Sequence, residues 1–515
     1  MNYFDPYPLA ADKSIVMAWD SEVARAAQTP WLAEALARAG SDLFPRFADC
    51  YAQLRALPRG ARRALQRQLA RSQELAAILP EWLHGEAGHA LQQKLARTLA
   101  GAALLLALGQ GVAQANIINV TPKTPPGIIL GDGKCSLAEA IIAANTDAPF
   151  DACPAGSGPD TIVLSKGTQT LTSYVPSIYS PTGLPLINSN ITIEGNGAKI
   201  TRKKTAAQFR LMAVQYTGTL TLNNLTLSGG NSTYGGGGVF NGGYLTVNNC
   251  IITGNKAFGG GAISNYGGYS QINNSTISKN TASYGGGGIF NRSFAPGYRG
   301  DVVLNNSTIT GNKANDGGGI YSAGGVYADI SINNSTISKN TASRFGGGIE
   351  NDFGATYVNN SVVTGNKSGN DGGGIFNLYN TAVLVVYNGS ILSKNSAGDD
   401  GGGIANIFGY TGVFNSTITG NKARGEDGGG IYSFGSSAVL VVQSSTLSKN
   451  SAPDFGGGIA NIFGYNGVFN STITGNKAGG YGGGIFNYFA TGFANVGNTF
   501  SQNKAPNGPD VYTFP

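Results

Sequence analysis

The chain has 515 residues, a formal net charge of +6 and only 12% charged side chains. Charge spread this thinly, with no dense basic run, argues against a nucleic-acid binder. Both histidines (His84, His89) and all three tryptophans precede residue 115, whereas 72 of the 79 glycines follow it, so two kinds of chain meet there and the later one lacks the commonest acid–base residue.

Residues 1–97 read as a helical extension, in which Ala61-Arg-Arg-Ala-Leu-Gln-Arg-Gln-Leu-Ala-Arg71 has helical periodicity and a basic, solvated face. Residues 98–115 read as a signal-peptide-like segment. Lys94 and Arg97 precede the apolar run Leu99–Leu108, and Ala113-Gln-Ala115 offers a small-residue cleavage site. The run is too short to span a bilayer comfortably. The expectation is export, with the exported part starting near Asn116. Its position is unusual for such a signal, and no Met lies between Met17 and Met212 to supply a later start.

In residues 116–159, Cys135 and Cys153 would close a short loop, a plausible disulfide in an oxidising compartment. The pattern Leu137-Ala-Glu-Ala-Ile-Ile-Ala-Ala144 predicts a helix with an apolar face to lie across the first coil of the repetitive region. Cys250 reads as a buried free thiol.

Residues 160–515 are repetitive. The Asn closing each T-G-N or S-K-N triplet recurs at 255, 280, 312, 340, 366, 395, 421, 450, 476 and 503, and the triplets alternate, so the deeper period is a pair of units. From Asn366 the pair repeats every 55 residues. Each unit holds three strand-like pieces, such as Gly317-Gly-Gly-Ile320, Asp329-Ile-Ser-Ile332 and Ser335-Thr-Ile-Ser338, with Ile330, Ile332 and Ile337 facing one way and Thr336 and Ser338 the other. Units of this length without helical period predict an all-β fold, a parallel β-helix of roughly a dozen three-strand coils. The triplet Asn residues then form a ladder at a bend, and the Gly runs make tight corners.

Gly133-Lys-Cys-Ser-Leu-Ala-Glu-Ala-Ile-Ile-Ala-Ala-Asn145, with Cys153 and Asp160-Thr-Ile-Val-Leu164, resembles the CSLREA domain at the amino end of secreted bacterial β-helices; Ala138 stands where the family name has Arg. The units, G-G-G-I followed by I-x-x-N as in Ile277-Ser-Lys-Asn280, are similar to the repeats of polymorphic outer-membrane proteins. These resemblances imply a right-handed β-helix, secreted or at the bacterial cell surface, with an adhesive or structural role. The partner would be extracellular matrix, a cell-surface group or a polysaccharide, with end-to-end self-association as a further option. No run of ten-residue alternating strands follows the repeats, so no membrane anchor of its own is expected.

The rival reading is a polysaccharide lyase or glycoside hydrolase, which needs two carboxylates at defined separation. Asp316, Asp371, Asp400 and Asp427 each precede a Gly run, and the last three should stack on adjacent coils of an exposed, mobile corner with Lys422 and Arg424 on a nearby loop. The same row could bind calcium, but a solvated corner whose charges oppose edge-to-edge association is the preferred reading. The T-x-T strands Thr308–Thr310, Thr417–Thr419 and Thr472–Thr474 resemble ice-binding solenoid faces, although lysines border them and ordinary strand propensity explains them. No residue is assigned as catalytic, cofactor-binding or metal-ligating.

Overall fold

The computed structural model describes residues 116–514, apart from 129–130, 178–179, 294–299 and 326. The extension at 1–97 and the apolar segment at 98–115 lie outside the described residues.

Alternating apolar residues make strands, and each strand finds its partner one coil on. A representative coil runs Tyr269–Asn273, Thr276–Ser278, Thr281–Ala282 and Ile289–Arg292 before Asp301–Asn305 starts the next. The first pieces stack into a 14-stranded sheet, the second into a 13-stranded sheet and the last into a 12-stranded sheet, here sheets 1, 2 and 3; the two-residue strands form two short ladders between sheets 2 and 3. Strand pairing is parallel and in register, as in Tyr269↔Asp301 and Thr276↔Thr308. The fold is the expected parallel β-solenoid. At about 4.8 Å per coil, 13 turns extend about 60 Å. Two expectations are refined. The third strand of a coil begins at the Ile after the glycines, as in Ile320–Ala323, and the glycines themselves form the corner. A fourth strand of two residues also follows most triplet Asn residues, as in Lys313–Ala314, with a single bridge at Lys367 and Lys504 instead.

The core is a column of inward side chains. Val302, Leu304, Ile309 and Ile320 are buried in one coil, and Ile330, Ile332, Ile337 and Ile349 in the next, as the alternation predicts. Burial of each contributes roughly 1.5–3 kcal/mol before entropy.

The corners explain the repeat's composition. In the run Gly286-Gly-Gly288, the first residue has φ +65°, and a Cβ on the second would lie 2.4 Å from the Gly318 carbonyl oxygen and 2.5 Å from that of Lys313. Backbone packs on backbone there, so only glycine fits. The triplet Asn residues are the predicted ladder, and they are buried. The Asn312 backbone N–H and Nδ2 both donate to Asn340 Oδ1 (2.9 and 3.0 Å), while Nδ2 also donates to the Ile277 carbonyl of the preceding coil (3.1 Å). The ladder ends where Asn503 Nδ2 donates to Asp510 Oδ1 at 3.0 Å.

At the amino end, the helix Leu137–Thr146, here α1, packs on the first strands. Ser136 caps it. The Ser136 side chain accepts from the Glu139 N–H, and the Glu139 carboxylate accepts from the Ser136 N–H (2.9 Å), a reciprocal capping box. Leu137, Ala140, Ile141 and Ala144 are buried, and Asn145 bonds the Leu186 carbonyl (2.7 Å) and the Asn188 N–H (3.1 Å), tying α1 to the coils. The Cys135–Cys153 disulfide is formed. Cys250 is buried as expected, and burial pushes its thiol up to about 11, which leaves it unreactive.

Candidate functional site

The four candidate aspartates occupy one corner, between the short strands and sheet 3, but they fall into two groups. Asp371, Asp400 and Asp427 lie on consecutive coils. Asp371 Oδ1 accepts the Asp400 N–H (3.1 Å), Asp400 Oδ1 the Asp427 N–H (2.7 Å) and Asp427 Oδ1 the Phe455 N–H (3.0 Å). The corner is not the solvated, exposed one that was expected. Asp427 is buried, Asp371 and Asp400 are partly so, and each carboxylate holds the backbone of the next coil. Burial, with repulsion among neighbouring carboxylates, raises Asp371 to about 6, Asp400 to about 8 and Asp427 to about 7. Burial beside the same row also raises the Tyr432 hydroxyl. Lys422 lies on the short strand Lys422–Ala423 rather than on a loop, and Arg424 Nε donates to Ser396 Oγ (2.9 Å).

Asp316 belongs to a second group that sequence reasoning missed. It pairs with Arg344, whose Nε reaches Asp316 Oδ1 at 2.9 Å. Two outward residues of the strand Ile349–Asp352, Glu350 and Asp352, are nonetheless buried, at 3% and 8% exposure. The Tyr321 hydroxyl donates to Asp352 Oδ2 at 2.8 Å, while Glu350 Oε2 and Asp352 Oδ1 have no partner among the described residues. Burial, and then the other carboxylates, raises Glu350 far above the carboxylate range; burial raises Asp352 to about 6. Arg344 lies over Asp316, and the Tyr321 hydroxyl against Asp352 is 3.5 Å from the Tyr284 hydroxyl. The signal was present in the sequence. Ile-Glu-Asn-Asp stands where other coils read Ile-Phe-Asn-Leu or Ile-Tyr-Ser-Ala, placing charge where the repeat has aromatic or small residues. Among the described residues, no three His, Cys, Asp or Glu side chains converge as a metal site.

Further along sheet 3 the outward positions turn aromatic. Phe455, Phe463, Tyr481, Phe486, Tyr488, Tyr512, Phe514 and Ile462 line a groove of about 320 Å³, with Phe455 stacked on Phe486 at 4.6 Å.

The T-x-T hydroxyls of sheet 2 bond each other in pairs across coils, as in Ser338 to Thr310 (3.0 Å), Thr364 with Ser393 (2.9 Å) and Thr419 with Ser448 (2.8 Å). The first T-x-T row is broken by exposed Ile251 and Ile391, so no uniform threonine face forms.

The molecule is thus a capped parallel β-solenoid with polar ladders at its corners. The Chlamydia polymorphic membrane protein repeat family matches at residues 274–292 and 306–323. No curated protein matches the chain. Two solved structures are similar. One is the A-module of the Azotobacter vinelandii mannuronan C-5 epimerase AlgE6 (15% identity, 73% of this chain and 93% of that one, TM-score 0.31). The other is PfbA, a surface adhesin of Streptococcus pneumoniae (11% identity, 72% and 86%, TM-score 0.28). Among the described residues no helix is long and apolar enough to cross a membrane.

Proposed function

We propose that the protein is a cell-surface or secreted, non-enzymatic adhesive β-solenoid, fronted by a CSLREA-like cap, that binds extracellular or cell-surface ligands through repeated weak contacts. The observation that carries this reading is the division of labour within each coil. Buried amides satisfy the corners internally, so outward Thr, Ser and Lys positions beside them recur from one pair of coils to the next, a geometry suited to multivalent binding. The match to membrane-protein repeats supports a surface location.

Deleting one repeat pair, Lys367–Asn421, tests it. The deletion joins Asn366 to Lys422 in matching register, since Lys422 follows Asn421 as Lys367 follows Asn366. A folded, shorter rod should bind cells or matrix more weakly but not lose binding. Robust cleavage of a polysaccharide by the parent, abolished by Asp400→Asn, would refute the non-enzymatic reading.

A further inference from the structure

Lysines scattered in the sequence become a single stripe in the fold. Each triplet Asn is a buried pivot flanked by more exposed residues. In the S-K-N coils the lysine precedes it, at Lys279, Lys339, Lys394 and Lys449. In the T-G-N coils it follows, at Lys256, Lys313, Lys367, Lys422 and Lys477, and Lys504 closes the series. Parallel pairing sets Lys256 on Thr281, Thr281 on Lys313, and Lys422 on Ser451, so lysines within one column sit two coils apart, about 9.6 Å. The exception is the carboxyl end, where Lys477 pairs directly with Lys504. The two columns interleave. Successive coils from Lys256 to Lys504 therefore carry one ammonium each, over about 43 Å.

Two observations mark this stripe as more than a solvated edge. No carboxylate pairs with any of these lysines among the described residues, although the chain holds acidic side chains on the neighbouring corner. The preceding-column lysines also occupy a left-handed conformation, with φ of 54° to 56°, where the alternating coils place glycine (Gly254, Gly311, Gly365, Gly420). A bulky side chain is held where glycine is easier, and strain retained this way points to a use.

We propose that the stripe is a binding track for a linear acidic polysaccharide lying along the solenoid. A polymer with one carboxylate on every sugar ring repeats its charge on the scale of one ring, comparable to one coil. The paired Thr and Ser hydroxyls run beside the lysines and retain acceptor capacity for sugar hydroxyls. The stripe leads at its end into a groove of about 410 Å³ lined by Lys477, Lys504, Asn503 and Pro506. Single-stranded nucleic acid fits less well, because the residues between the columns are Asn, Thr, Ser, Gly and Ala, with no aromatic ring for base stacking. The proposal rests on the adhesive reading and names its ligand class.

The test uses the full chain with polygalacturonate, neutral dextran and poly-dT as probes. The quadruple variant K279G/K339G/K394G/K449G removes four charges and relieves four left-handed lysines, so it should melt no lower than the parent. Polygalacturonate binding by the parent should weaken with salt, and the variant should bind at least tenfold more weakly with a salt slope reduced by roughly 3. Equal binding of polygalacturonate by parent and variant overturns the track, as does dextran or poly-dT binding as tight as polygalacturonate. If the parent adheres to cells or matrix but does not bind polygalacturonate, the track is refuted and the adhesive reading stands. If it adheres to nothing but binds polygalacturonate through these lysines, the track stands and the broader reading falls.

Discussion

Replacing Asp400 by asparagine is expected to stabilise the protein at alkaline pH and to leave it unchanged near pH 4. Asn keeps an Oδ1 to accept the Asp427 N–H, now 2.7 Å away, so the substitution removes charge and little else. Asp400 stands at about 8 in the folded protein, raised from 3.8 mainly by burial, then by Asp427 and Asp371. A raised folded pKa means the native state binds more protons, so the stabilising proton is fully present below the unfolded value and is lost as pH climbs towards 8. For an isolated buried carboxyl the gap would cost about 6 kcal/mol on ionisation. Asp400 is only partly buried and its repulsion is shared along the row, so solvent screening and relief in Asp371 and Asp427 leave about 2 kcal/mol. Urea unfolding at pH 9 should show Asp400→Asn more stable by that amount, with the two proteins equal within about 0.5 kcal/mol at pH 4. Parent stability should itself fall from pH 5 to pH 9, in the direction that Glu350 and Asp352 also push. A variant no more stable than the parent at pH 9, or an advantage that persists at pH 4, would refute the reasoning.

Other perturbations read different layers of the fold. Removing the Cys135–Cys153 bridge by a double Ala substitution should cost about 3 kcal/mol, given its sequence separation of 18, and expose the first coil to proteolysis. Asn421→Ala leaves the Asn395 N–H and Nδ2 without their acceptor and the Leu392 carbonyl without its donor; about 3 kcal/mol should be lost in urea unfolding, with hydrogen exchange rising in the coils on either side.

Much of the fold was legible because it depends on local alternation. Period-two burial placed Ile330, Ile332 and Ile337 inside, the triplet Asn marked the bend, and the apolar pattern Leu137–Ala144 announced the helix. A second amide ladder was not recognised. Asn241, Asn265 and Asn291 sit buried in sheet 3 and bond coil to coil, with Asn241 to Asn265 at 2.8 Å and Asn265 to Asn291 at 2.9 Å. Their alternation falls after a Gly run, whose conformation hides the strand's start. The charges of Glu350 and Asp352 stood out in the sequence, but their grouping with Tyr321, Asp316 and Arg344 did not: it depends on contacts between residues about thirty apart, set by which coil stacks on which. The candidate row was correctly grouped for Asp371, Asp400 and Asp427, but its burial was not, because a corner that looks exposed in one repeat is covered by the next.

The two-coil period has a physical reason that no single unit shows. In one coil Gly takes the left-handed position and Lys follows the buried Asn; in the next Lys takes that position and Thr or Ser follows. Were every coil alike, lysines would stack at about 4.8 Å in one column, where like charges directly opposite destabilise a sheet. Alternation doubles that spacing within each column, up to the final Lys477–Lys504 pair, while keeping one charge per coil along the stripe. The same alternation pairs a Thr hydroxyl of one coil with a Ser hydroxyl of the next, as at Thr364 and Ser393, leaving each pair internally bonded. A solenoid seeking only stability has no need of this arrangement, since glycine at every left-handed corner and uncharged residues beside it remove both the strain and the repulsion. Retaining a charge on every coil at the cost of a left-handed lysine on every second one is intelligible if the unbroken line of charge is itself what the repeat maintains.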